Sequence, residues 1–148
     1  YLLTHELQWI LLSILFLVSI ILVSHKVWTK SSSKLSYDSI RFQTKDSDLT
    51  VFKNDLSVNI TDVYIHKIWQ IIYRQKQKNR REIMMSDFND ELFTVSKSDS
   101  YKSKMNTKLF KAINEGLNSY LIRVDRSSVD KRYKVIQFNL DIIDELNE

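Results

Sequence analysis

The sequence predicts an α+β protein in which one N-terminal transmembrane helix precedes a small domain of helices and antiparallel strands. The run from Leu7 to Ser24 carries no charge. Later, short runs alternate apolar with polar residues, and three stretches place apolar residues at helical spacing. The predicted divisions are a transmembrane segment with its flanks at 1–28, a linker at 29–38, a small β-element at 39–60 and a domain of helices with a terminal hairpin at 61–148.

The composition argues against an enzyme. The 148 residues include no Cys and no Pro, and Gly116 is the only glycine. Thiol chemistry and a glycine-rich phosphate loop are therefore excluded. His5, His25 and His66 are scattered and show no metal-binding spacing. We predict no catalytic residue, no metal and no cofactor.

The uncharged run is predicted to cross a bilayer. At about 1.5 Å per residue it would extend about 27 Å, close to the thickness of the hydrocarbon core. Trp9 and Trp28 stand at its two ends, as interfacial aromatic residues do. No Lys or Arg precedes it and three lysines follow it, which places the N-terminus outside and the C-terminal domain in the cytoplasm, with a bacterial inner membrane as the expected location. The three lysines are Lys26, Lys30 and Lys34.

A buried core helix, a cleaved signal peptide and a pilin N-terminus fit this segment less well. A buried core helix rarely stays apolar all round for this length. A cleaved signal peptide would carry cations in front and small residues at its cleavage site. Tyr1, Glu6 and the apolar run faintly resemble the start of a processed type IV pilin, although pilins carry the acid at the fifth mature position and have Gly-rich bodies. Because residue 1 is Tyr, we expect the chain to be a fragment or a processed product.

A small antiparallel sheet is predicted after the polar linker. Ile40 and Phe42 alternate with polar residues, as in a strand with one buried face. Two further short runs, "LTVF" and "LSVNI", are separated by Lys53, Asn54 and Asp55, which predict a tight hairpin.

The first helix of the domain is predicted to begin after Thr61 as N-cap. Its wide apolar face comprises Val63, Ile65, Ile68, Trp69, Ile71 and Ile72. Five of the eight residues from Arg74 to Arg81 are basic. Such a run is usually a solvated helix end, and near a bilayer or a nucleic acid it would also attract phosphate.

A short strand at "EIMM" and two more helices are predicted next. Ser86 is expected to cap a short helix that buries Phe88, Leu92 and Phe93. The longer helix is expected from about Ser100 to Tyr120. Its apolar face would hold Met105, Leu109, Ala112, Ile113, Leu117 and Tyr120, with Lys104, Lys108 and Lys111 on the opposite face and Asn106 and Thr107 on the flanks.

The C-terminal part is predicted to form a two-stranded hairpin from "LIRV" and "YKVIQFNL". The order helix, short strand, short helix, longer helix and hairpin is that of a winged helix. In that fold the third helix enters the major groove of DNA and the hairpin, or wing, reaches the adjacent backbone. The residues predicted to contact DNA are Ser103, Lys104, Asn106, Thr107, Lys108, Lys111, Arg123, Arg126, Lys131 and Arg132.

The stretch "RVDRSSVDKRYKVIQFNL" resembles the wing of MarR-type winged-helix regulators. Arg126 matches the leading Arg of that wing, and Asp130, Lys131 and Arg132 match its Asp-basic-Arg triplet. The resemblance implies that the triplet shapes the wing and that its cations meet DNA. The leading strands are similar to the OmpR-type layout, and the combination with one transmembrane helix is similar in plan to membrane-tethered ToxR-like regulators. Those regulators place the DNA-binding domain before the membrane helix, and the dimerisation helices of MarR-type chains are missing here.

The sequence is compatible with two functions. The first is that of a membrane-tethered transcription regulator whose partners are the lipid bilayer and DNA. Leu35 to Leu140 holds 19 Lys and Arg against 13 Asp and Glu, a net charge of +6. The alternative is a small accessory or structural subunit of a membrane complex, whose domain docks a protein partner. Acids on or beside the second helix and in the tail count against tight DNA binding. A homodimer is a further expectation.

Overall fold

The computed structural model of the protein describes residues 2–32 and 38–147, with side chains described for 4–26 and 38–147. The chain divides into two compact units, Tyr1–Ser36 and Tyr37–Glu148. Together they form a mixed helix and strand protein, as the α+β prediction requires.

The first unit contains helix α1, Leu2–Ser32. Its segment Thr4–Lys26 has a mean hydropathy of 2.5 and is long and apolar enough to cross a membrane. All side chains described in this helix are exposed, so the apolar surface continues around it. Within the described residues this is the single candidate membrane span, and it lies near the N-terminus as predicted.

Trp9 and three serines of α1 form hydrogen bonds within the helix itself. The hydroxyls of Ser13, Ser19 and Ser24 each donate to a backbone carbonyl four residues earlier, at 2.7 to 2.9 Å. Trp9 Nε1 donates to His5 Nδ1 at 3.2 Å. Such internal partners lower the cost of placing a polar group in lipid.

The predicted linker at 29–38 is partly helical, because α1 continues to Ser32. The part of the linker from 33 to 37 lies outside the described residues, as do the side chains of Trp28, Lys30 and Lys34.

The second unit begins with an antiparallel sheet, β1 (Ile40–Lys45), β2 (Asp48–Lys53) and β3 (Leu56–Ser57), in that order. The predicted turn before β3 is present, and its two central residues, Asn54 and Asp55, have φ of 48° and 65°. The β1–β2 turn was not predicted, and Asp46 and Ser47 have φ of 51° and 70° there. Two consecutive residues with positive φ are typical of two-residue hairpin turns, whose twist matches that of the strands.

Helix α2, Val63–Gln77, begins one residue later than expected. Its N-cap is Asp62 and not Thr61, because Asp62 Oδ1 accepts hydrogen bonds from the N–H groups of Tyr64 at 2.7 Å and Ile65 at 3.3 Å. Most of the predicted apolar face is buried, but Val63 is 68% exposed because it lies at the first position of the helix.

Strand β4 (Glu82–Met84) leads directly into helix α3 (Met85–Leu92), where Phe88 and Leu92 are buried as predicted. Ser86 is not the N-cap, since the helix begins at Met85 and Met84 takes the cap position without a side-chain hydrogen bond.

Helix α4, Asp99–Asn114, is capped by Ser98 and ends six residues before the predicted end at Tyr120. The chain leaves the helix at Glu115, and Gly116 adopts a φ of 80°. Tyr120 consequently lies outside the helix and is exposed, and Ala112, although within the helix, is exposed as well.

A second antiparallel sheet completes the unit. Strands β5 (Ile122–Arg126) and β6 (Lys134–Phe138) form the predicted hairpin, and β4 pairs with β6, so the order is β4-β6-β5. After a short 3₁₀ turn, Leu140–Ile142, the chain returns to β1, where Asp144 N–H donates to Ile40 O at 2.8 Å.

One core joins both sheets and the three helices. Its largest fully buried side chains include Trp69, Phe88 and Ile136, one each from α2, α3 and β6. Ile40 and Val51 of the leading sheet belong to the same cluster. The leading sheet is therefore an integral part of the second unit, and it packs against the helices that carry the candidate site.

Candidate nucleic-acid interface

The outer face of α4 presents polar and cationic side chains to solvent. Burial of Leu109, Phe110 and Ile113 fixes the rotation of the helix about its axis. The predicted contact residues on the opposite side are exposed, namely Ser103, Lys104, Thr107, Lys108 and Lys111. In the part of the chain that the structure describes, none of the three lysines forms an ion pair. Their charge is available to a partner.

Asn106, which was predicted to lie nearest the bases, is buried and is not among the exposed residues of this face. It is 2% exposed, and its Nδ2 donates to Asn89 Oδ1 at 2.8 Å across the α3–α4 contact. The burial of Asn106 was predictable from the sequence, because Asn106 precedes Leu109 and Phe110 by three and four residues and so shares their helix face.

Two of the four predicted hairpin cations are engaged within the protein. Arg123 stacks on the Tyr120 ring at 4.1 Å, donates to Gln137 Oε1 and forms an ion pair with Asp125 at 3.1 Å. Arg132 binds the carboxylate of Asp130, with Nη2 2.7 Å from Oδ2. This guanidinium lowers the pKa of Asp130 from its ordinary value.

The other two hairpin cations, Arg126 and Lys131, are exposed. Neither forms an ion pair with any acid among residues 38–147. Arg126 is the last residue of β5 and Lys131 lies in the loop that joins β5 to β6, so this end of the hairpin carries two positive charges without an acidic partner among the described residues.

The loop between β5 and β6 is held in shape by Ser127, a residue that was not among the predicted site residues. Ser127 is 8% exposed, and its Oγ accepts hydrogen bonds from the N–H groups of Val129 and Asp130. Its own N–H donates to Tyr133 O at 2.9 Å. Val129 projects from the end of this loop and is 94% exposed.

The face of α4 and the hairpin adjoin along a groove of about 620 Å³. Val124 and Lys134 line it from the hairpin. The other lining residues are Asp99, Ser103, Asn106 and Thr107 of α4 and Met85, Ser86 and Asn89 of α3. Lys134, an exposed cation that was not among the predicted contact residues, therefore belongs to the same surface. We give the name cationic surface to the following exposed residues: Ser103, Lys104, Thr107, Lys108 and Lys111 of α4, together with Arg126, Lys131 and Lys134.

Three of the five cations in the basic run from Arg74 to Arg81 pair with acids. Arg74 pairs with Glu91, Lys76 Nζ lies 3.7 Å from Glu145, and Arg81 Nη2 lies 2.7 Å from Asp141. The acidic tail thus neutralises part of this run, whereas Lys78 and Arg80 are exposed and form no ion pair among the described residues.

No group of three His, Cys, Asp or Glu side chains that could hold a metal ion occurs among the described residues.

A scan against models of protein families, a search of curated proteins and a search of solved structures each find no match to this chain.

Proposed function

We propose that this chain is a single-pass membrane protein whose second unit is a winged helix that binds DNA and regulates transcription from the membrane. The observation that carries the proposal is the cationic surface, in which unpaired lysines of α4 adjoin a hairpin that ends in Arg126 and Lys131. The order of elements from α2 to β6 supports the winged-helix assignment.

In this proposal α1 crosses a bacterial inner membrane with the N-terminus outside. The cations that follow the apolar segment, Lys26, Lys30 and Lys34, support that orientation, because cytoplasmic flanks are enriched in Lys and Arg. The second unit would then be cytoplasmic, where DNA is accessible.

The two parts of the cationic surface would act differently on DNA. Lys104 and Lys108, one helical turn apart on α4, would lie in the major groove, where Lys is suited to guanine and the nearby hydroxyls to either base type. Arg126 and Lys131 would meet phosphates beside the groove and add affinity without sequence information.

The test measures binding of the full chain, held in lipid nanodiscs, to random-sequence duplex DNA at several salt concentrations. Arg126→Ala and Lys131→Ala should each weaken binding and flatten the salt dependence by about one counterion. Lys45→Ala is the matched control, because Lys45 is an exposed cation of the leading sheet outside the cationic surface. Equal effects at all three positions, or no DNA retention at low salt, would contradict the proposal.

A second candidate function is that of an accessory subunit of a membrane complex, with a protein docked on the hairpin. The exposed apolar side chains on that hairpin favour it: Val129 is 94% exposed, Tyr133 52% and Val124 44%. Under this alternative Val129→Ser would abolish capture of the partner complex from solubilised membranes, and the cation substitutions would leave DNA retention unchanged.

A further inference from the structure

Asp38, the first described residue of the second unit, binds the loop that follows α4. Asp38 Oδ2 accepts hydrogen bonds from the backbone N–H of Asn118 at 2.7 Å and of Ser119 at 2.8 Å. The hydroxyl of Ser119 donates to the same oxygen at 3.0 Å. Three donors on one carboxylate oxygen form a strong, charge-assisted contact.

The charge state of Asp38 supports this contact. Partial burial raises the pKa of its carboxyl, and the hydrogen bonds from Asn118 and Ser119 lower it by more, so the pKa lies below its ordinary value. The side chain is therefore ionised at neutral pH and retains its full capacity to accept hydrogen bonds.

The residues that Asp38 holds belong to the joining loop, residues 115–121, which connects α4 to β5. Asn114 closes this loop, since its Oδ1 accepts from Leu121 N–H at 2.8 Å and its Nδ2 donates to Ile122 O at 2.9 Å. Lys53 of β2 holds the start of the loop through Glu115 O at 3.2 Å. The middle of the loop is held by Asp38.

The position of Asp38 is itself fixed by the leading sheet. The next residue, Ser39, exchanges two hydrogen bonds with Asn54, from Asn54 N–H to Ser39 O at 2.8 Å and from Ser39 N–H to Asn54 Oδ1 at 2.9 Å. Asp38 thus connects a fixed edge of the sheet to the joining loop.

The joining loop lies between the two elements that carry the cationic surface. It connects α4, which carries the lysines, to β5, which ends at Arg126. We propose that Asp38 is a positioning residue for DNA binding, which holds the joining loop so that α4 and the hairpin can engage one duplex together. This inference rests on the proposed function.

Electrostatics alone would give the opposite effect on DNA affinity. Removing any acid from the unit reduces repulsion of phosphate and should tighten binding. If Asp38 has a positioning role, removing its carboxylate should instead weaken DNA binding, because α4 and the hairpin would no longer be held in the relative position that lets both contact one duplex. The sign of the change therefore separates electrostatic repulsion from positioning.

The first experiment measures affinity for random-sequence duplex DNA with the full chain in lipid nanodiscs. We expect Asp38→Ala to weaken binding roughly tenfold and Asp38→Asn, which keeps one acceptor oxygen, to weaken it less. The salt dependence should not change, since no phosphate contact is lost. Asp48→Ala, an exposed acid of the same sheet, is the control and should leave the affinity unchanged or tighter. Tighter binding by Asp38→Ala would overturn the proposal.

The second experiment does not depend on DNA. The native chain has no Cys, so spin labels can be placed at Lys108→Cys on α4 and Lys131→Cys on the hairpin. Asp38→Asn and Ser119→Ala should shift or broaden the distance distribution between the labels, and Asp48→Ala should not. An unchanged distribution would overturn the role of Asp38. If the unsubstituted chain does not bind DNA, only the proposed function is overturned. The distances between the two labels still decide whether Asp38 positions α4 relative to the hairpin.

Discussion

Lys53 places a cation from β2 at the C-terminal end of α4. Its Nζ donates to Ile113 O at 2.6 Å and lies 5.6 Å from the centre of the Trp69 ring. A cation is favourable at this end of a helix, where backbone carbonyls have no partner within the helix. The leading sheet thereby caps the helix that carries most of the cationic surface.

The pKa of Lys53 is lowered from its ordinary value near 10.5, because burial removes water from the ammonium group, and the charge of Glu115 only partly opposes this. Below the folded-state pKa the protonated group therefore carries a burial cost. That cost is relieved as pH rises from the folded-state pKa towards 10.5, since the unfolded chain binds more protons in that range.

We expect Lys53→Met to lower the free energy of unfolding by about 1–2 kcal/mol at neutral pH, because two carbonyls lose a charged donor. The difference from the unsubstituted protein should grow as pH rises towards 10.5. Thermal unfolding of the full chain in nanodiscs, followed by near-ultraviolet circular dichroism, measures both. A difference that shrinks over this pH range would contradict the assigned direction of the pKa shift.

Asn106 gives a second prediction for a single residue. Asn106→Ala should lower the free energy of unfolding by about 1 kcal/mol, since Asn89 loses its partner in the α3–α4 contact. Asn59→Ala, at an exposed position, should change it by less than about 0.5 kcal/mol. In DNA selection followed by sequencing, Asn106→Ala should keep the same preferred motif. A lost or changed motif would mean that Asn106 does reach the bases.

At the scale of elements, helices with a strong apolar period were predictable from sequence, and their ends were less so. The period of Ile68, Trp69 and Ile72 predicted α2 because burial requires that spacing. The end of α4 was missed because Leu117 and Tyr120 continue its apolar period, whereas the closure of the loop by Asn114 depends on a side-chain contact that periodicity does not encode.

For the candidate site, sequence predicted which helix face is exposed but not which cations are paired. The lysines of α4 were correctly expected to be exposed, because they lie opposite the apolar face. Sequence could not show that Gln137 engages Arg123, because that contact depends on the register of the hairpin. Nor could it show that Asp130 pairs with Arg132 or that Arg123 stacks on Tyr120, because those contacts depend on the conformation of the two loops.

The rotation of α4 about its axis can be tested by placing a carboxylate at neighbouring positions. Ile113 is 1% exposed, so Ile113→Asp should abolish the cooperative unfolding transition, because an unpaired buried carboxylate costs several kcal/mol. Ala112 is exposed, and Ala112→Asp should cost less than about 1 kcal/mol. Similar losses at both positions would show that the buried face is wrongly assigned.

At the scale of the whole molecule, the proposed function depends on which side of the membrane the second unit occupies. A reporter that is active only in the cytoplasm should work when fused after Glu148, because the lysines follow the apolar segment. As a control, His5→Lys and Glu6→Lys combined with Lys30→Ser and Lys34→Ser should reduce the reporter signal. Activity of an exported reporter at the same site in the unsubstituted chain would rule out DNA as a partner.

The two hairpin turns of the leading sheet contain no glycine, so a substitution to glycine there could increase the stability of the fold. Ser47, with a φ of 70°, lies in a backbone region that costs side-chain-bearing residues roughly 1 kcal/mol or more, and that cost falls on the folded state. Ser47→Gly should therefore raise the melting temperature by a few degrees. A lineage that acquired this change could tolerate a new, mildly destabilising substitution elsewhere, for instance one that alters the cationic surface, without losing the fold.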